Sequence, residues 1–205
     1  MKFRVSLLAA MAFSLLVSTS CIPEFENPLP RSKDMTPDRA ILGTWETMPG
    51  KEHFQISFFE KSSGEMYIVW LDLEEVEHTP PGVAIFQAYS TSVNKDKFLC
   101  LRIIKKINQD SIDKQEKPMF LIARYEISSK GILSVNMFSQ SAIKRMIEKN
   151  ELKGLIENRK YIDKVIVTSS SDELVAAILK NGIASIISED NMMKFQRLPH
   201  KGNNN

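Results

Sequence analysis

The side chains with most chemical reach in this 205-residue chain are three histidines, His53, His78 and His200, and two cysteines, Cys21 and Cys100. The histidines fall into no metal-ligating or zinc-protease spacing. Glu74, Glu75, Glu77 and His78 cluster just before Pro80-Pro81-Gly82, an arrangement read more simply as a charged hairpin end than as an oxygen-rich metal site. Asp110 and Asp113 are paired in a polar stretch, Asp110 to Lys117, that reads as an exposed loop with nothing to shift their ionisation. A nucleophile elbow and a phosphate-cradling glycine loop are both missing from a chain with eight glycines. Cys100 lies in Phe98-Leu99-Cys100-Leu101, a run that reads as a buried strand, where a cysteine serves as a small hydrophobe. The residues therefore predict no catalytic site, no metal and no cofactor.

Cys21 is different because of what precedes it. Lys2 and Arg4 form a short positive stretch, and Val5 to Val17 adds thirteen uncharged residues. That run is shorter than the roughly 20 residues a spanning helix needs, and it fits the apolar region of a secretory signal peptide over residues 1–20. Ser18-Thr19-Ser20-Cys21 resembles the cleavage site of bacterial lipoprotein precursors, with Leu16 and Val17 just upstream. The resemblance implies that Cys21 receives a lipid and holds the chain at a membrane. Ile22, standing where an aspartate would retain the protein at the inner membrane, implies the periplasmic face of the outer membrane. The rival reading is ordinary cleavage, which leaves Cys21 to form a disulfide with Cys100.

Residues 22–40 carry Pro23, Pro28, Pro30 and Pro37, which predicts a semi-extended tether over residues 21–40. Lys2 and Arg4 are the only charges before Cys21, so a chain starting there carries 25 basic and 25 acidic residues. Such a balance offers no field for phosphates and excludes a nucleic-acid partner. The polar end from Pro199 to Asn205 reads as a frayed tail, leaving one folded domain over residues 41–198.

Within that domain the hydrophobic period is two. Phe54, Ile56 and Phe58 share a face, as do Tyr67, Val69, Leu71 and Leu73, with Ser62-Ser63-Gly64 as the turn between them. Leu121, Ala123, Tyr125 and Ile127 alternate in the same way before Ser129-Lys130-Gly131 and Leu133, Val135, Met137. With segments 41–48, 83–93, 97–106, 163–169 and 193–198, this predicts a mainly β chain of about eight or nine antiparallel strands, in an up-and-down barrel or a sandwich. Two short helices interrupt the series late. One opens at Ser141 and stops near Gly154; the other is capped by Ser170-Ser171-Asp172-Glu173 and stops at Asn181-Gly182. Their apolar stripes predict packing against the sheet.

Ile41-Leu42-Gly43-Thr44-Trp45 resembles the Gly-x-Trp signature on the first strand of lipocalins and related barrels. The resemblance implies a barrel whose closed end is plugged by Trp45 packed against an arginine of the last strand, here Arg197. Phe120 to Leu198 is also similar to the C-terminal half of a group of bacterial lipoproteins with lipocalin-like domains, which implies a fold and no activity. The chain departs from lipocalins in lacking a Thr-Asp-Tyr motif and in its additional late helix. Two functions are consistent with these readings. One is an anchored barrel that binds a small apolar ligand, with Trp70, Phe86, Phe98 and Tyr125 as candidate wall residues. The other is an envelope interaction module whose barrel is filled and whose partner is a protein.

Overall fold

A computed structural model of the chain describes residues 22–31, 37–48, 53–61, 64–73, 82–107, 118–159, 163–187 and 192–199. The expected signal peptide, Cys21, the tail beyond Pro199, the Glu74–His78 cluster and the Asp110–Lys117 stretch lie outside the described residues.

Eight strands close an antiparallel, lipocalin-like barrel. Numbered with a short N-terminal strand β1 (Glu24–Phe25), they are β2 (Gly43–Thr47), β3 (Phe54–Glu60), β4 (Met66–Asp72), β5 (Val83–Val93), β6 (Asp96–Ile107), β7 (Phe120–Ile127), β8 (Ile132–Met137) and β11 (Met193–Arg197). Each pairs with the next in sequence, and β11 closes the circle between β8 and β2. Alternation sets the faces. Trp45, Ile56, Trp70 and Ala84 stand in one cross-strand row, on the interior. A two-residue turn joins β5 to β6, with Asn94 in the left-handed region at φ 57° that such turns require.

Between β8 and β11 the chain leaves the barrel. It forms helix α1 (Gln140–Glu148), a hairpin of β9 (Gly154–Glu157) and β10 (Lys164–Val167), and helix α2 (Ser171–Asn181). Ser170 and Glu173 make a reciprocal capping box on α2, and Gly182, at φ 74°, ends it. Helix α1 starts one residue earlier than expected, because Ser139 caps it in place of Ser141. The segment 163–169 is a strand outside the barrel, and its partner β9 had no alternating signature in four residues.

Two cores result. One fills the barrel, with Trp45, Phe58, Met66, Ile68, Leu133 and Phe195 at its centre. The other lies outside the barrel wall, where Tyr89, Phe98, Cys100 and Ile122 meet Ile143, Leu174 and Ile178 of the helices. This explains the unbroken apolar run Phe98–Leu101: both faces of that strand are covered.

The expected tether is corrected by the same core. Phe25 and Leu29 are fully buried in it. Phe25 pairs in parallel with Val167 of β10 and antiparallel with Phe120 of β7. Prolines lack an N–H but keep their carbonyls as acceptors. Pro28 O accepts from Ser171 Oγ at 2.6 Å and Pro30 O from Thr91 Oγ1 at 2.6 Å, while Tyr89 OH donates to Leu29 O. Residues 22–31 are thus a docked strap joining the barrel to the outer layer.

Candidate functional site

The two ends of the barrel are built differently. At one end Trp45 is fully buried and its indole Nε1 donates to Ile41 O at 2.7 Å. Arg197 lies over the ring, with its guanidinium carbon 4.2 Å from the centroid, and donates to Leu42 O and Ala40 O. Gly43 is required between them. Its φ is +111°, and a Cβ there would stand 3.1 Å from Arg197 Nη1. Asp38 completes this closed end by accepting from Tyr125 OH at 3.0 Å and Lys97 Nζ at 2.7 Å. Burial raises the Asp38 carboxyl, but those bonds outweigh it and hold the group below its ordinary value. Burial and the neighbouring Asp38 together push the Tyr125 hydroxyl up, so it stays a proton donor.

Toward the opposite end the lining opens. Trp70, Phe86, Leu121, Met137 and Met193 belong to the barrel cluster yet are only partly buried. Met48, Met192 and Ile103 are 41%, 38% and 36% exposed at the same end. Trp70 lies among them, with its ring 5.2 Å from the buried Phe54 and edge-on to the buried Phe195 at 6.0 Å. These partly buried apolar side chains form the mouth of the barrel.

The expected wall residues therefore divide. Trp70 and Phe86 stand at the mouth. Tyr125 is interior but belongs to the closed end, tied to Asp38. Phe98 is corrected: it pairs with Arg124 on the outward face and packs edge-on to Phe138 at 6.0 Å in the outer core. The strand alternation that placed Leu99 and Leu101 inside puts Phe98 outside. Leu121, Met137 and Met193 at the mouth were hidden in the sequence among ordinary core positions; their signal was the open-end position of each within its strand.

A lip extends the mouth. Phe25 and Phe120 share the outer-core face, so the neighbouring Glu24 and Leu121 point to the opposite, interior side. Glu24, Ile166 and Leu155 form one cross-strand row on that side, with Lys164 Nζ 3.0 Å from Glu24 Oε2.

No family model, curated protein or solved structure matches the chain. Function is read from the residues alone.

Cys100 is a free, buried thiol, which burial pushes up to about 11. His53 is exposed and pairs with Glu46 at 2.6 Å. Among the described residues no three of His, Cys, Asp and Glu converge to hold a metal. A groove of about 660 Å³ lies outside the barrel at its closed end, between Arg31, Asp38, Lys97 and Leu179. Three of its charged residues are paired: Arg31 binds Glu65 at 2.7 Å, and Asp38 and Lys97 bind each other; Arg39 lines it as well.

Proposed function

We propose that this protein is a non-enzymatic binding protein of the bacterial envelope, lipidated at Cys21, whose barrel takes a small apolar ligand at its open end. The observation that carries the reading is the gradient along the barrel axis. Interior side chains pass from the fully buried Trp45 beneath Arg197 to the partly buried Trp70, Phe86 and Met193. Apolar groups left partly open at one end of a barrel interior are what a small apolar ligand would cover. The lipocalin-like architecture and the lipoprotein-type cysteine support the same reading, and the outer membrane is the site they favour.

The experiment is a thermal shift of the full chain with palmitate as probe. A ligand present at a hundred times its dissociation constant adds about 2.7 kcal/mol, a readily measured rise in Tm. An unchanged Tm together with no co-purifying apolar molecule would falsify ligand binding. For the anchor, Cys21→Ala moves the protein from the membrane to the soluble fraction; unchanged membrane association refutes lipidation.

A second reading, an interaction module for another envelope protein, draws on a different observation. Phe59 and Tyr67 are cross-strand partners on the outer wall and are 53% and 38% exposed. Co-purification of one defined protein, lost on Phe59→Asp, favours it.

A further inference from the structure

The lip of the barrel and the strap that follows Cys21 are physically one feature. Glu24 is the first residue of β1, and its row continues through Ile166 to Leu155, which is 56% exposed. The opposite face of this small sheet, Phe25, Val165 and Val167, is sealed against the helices at 1% exposure or less. Only the lip face is therefore available to anything outside. Two residues, Ile22 and Pro23, separate Cys21 from Glu24, a reach of no more than about 11 Å. No slack follows them, because Glu26 N donates to Val167 O at 2.9 Å and Asn27 Nδ2 to Ser169 O at 3.0 Å. A free tether would let the barrel tumble above its anchor. A docked strap fixes which side stays near it.

We propose that the open end of the barrel faces the bilayer, and that its ligand is an acyl chain of a lipid drawn directly from that membrane. This rests on the anchored-barrel reading above. A lipid on Cys21 is tied to the lip, so the Ile166–Leu155 face lies at the lipid surface and the mouth opens toward it. The mouth suits such an occupant. Met137 and Met193 are unbranched and adaptable, as a conformationally mobile hydrocarbon chain needs, and Trp70 stands among them in the barrel lining. Trp70, Met137 and Met193 carry no charge, whereas the lip carries Glu24, Lys164 and Glu157, so the headgroup stays at the lip while the chain end enters.

The two tryptophans make this testable without labels, since Trp70 sits at the mouth and Trp45 at the closed end. The full lipidated chain is reconstituted with phosphatidylcholine vesicles carrying brominated acyl chains, whose bromines quench indole emission near contact. Vesicle flotation is measured first. The expected result is loss of Trp70 emission in the Trp45→Phe variant and unchanged Trp45 emission in Trp70→Phe. The wild-type chain gives a partial loss, so the test stands even if one variant misfolds. A protein that does not float overturns the anchor and this proposal with it. A protein that floats with Trp70 unquenched overturns only the membrane-facing mouth and leaves the anchor standing. Equal quenching of both tryptophans also overturns the proposal, because the closed end would then be in contact with lipid.

Discussion

Arg197, on the last barrel strand, covers the indole of Trp45, on the first, at 4.2 Å. The contact ties together two ends of the domain that lie about 150 residues apart, and its guanidinium also caps the carbonyls of Leu42 and Ala40. The outer side of Arg197 is exposed, which keeps the cation hydrated and the contact modest in energy. Arg197→Ala is expected to cost about 1–2 kcal/mol, from the cation–π contact and the lost carbonyl bonds. Urea denaturation measures it, and an unchanged midpoint would mean that barrel closure does not depend on this pair.

Phe25 tests whether the N-terminal segment is structure or spacer. It is fully buried and stands edge-on to Phe138 at 5.7 Å. Phe25→Ala is expected to destabilise the protein by about 3–5 kcal/mol, the range for emptying a buried aromatic site. A spacer residue would change nothing.

Glu65 accepts from Lys61, Arg31 and Gln87. Burial raises its carboxyl, but these three bonds outweigh it and bring the group from the usual 4.5 down to about 2. A depressed carboxylate contributes stability that is fully present above its unfolded value and lost as pH falls through the folded one. Stability should therefore drop between about pH 4.5 and pH 2, partly because Arg31 releases the end of the strap. Glu65→Gln should lower stability at neutral pH and flatten that acid limb. Denaturation midpoints across the pH series decide it; parallel curves for the two proteins would exclude the role.

Cys100 should be silent to thiol reagents in the folded protein. Its thiol is buried, with Tyr89 beside it, and burial keeps it protonated. Modification should appear only with unfolding, following the urea transition. Rapid labelling of the native chain would show that the outer core opens.

Ser170→Ala removes one half of the capping box on α2 and should cost about 1 kcal/mol. A matching loss of helical signal near the midpoint would place the cost in α2.

Alternating hydrophobicity in 54–58, 67–73 and 121–137 was enough to read antiparallel strands, because a strand with one wet face must alternate, but barrel closure by β11 rests on long-range pairing. Gly43 and Trp45 were legible only through their resemblance to a Gly-x-Trp signature; the structure supplies the reason, a positive φ at Gly43 beside the buried Trp45. The capping box at Ser170 was equally local. Phe98 shows where local reading stops. In an apolar run every residue looks like core, and only the outer layer of helices reveals that there are two cores to choose between.

The strap shows the same limit from the other side. Four prolines within residues 22–40 exclude a helix or a full ladder, and that much is intrinsic to the chain. Their carbonyls, however, still accept hydrogen bonds, and Ser171 and Thr91 come within 2.6 Å of them only in the folded protein. The chain by itself determined alternating strands and short capped helices, because each is specified by neighbouring residues. Tertiary structure alone decided that the supposed tether is part of the core and that β1 forms the lip of the mouth. Those contacts join residues more than 60 positions apart, and no local pattern encodes such a pairing.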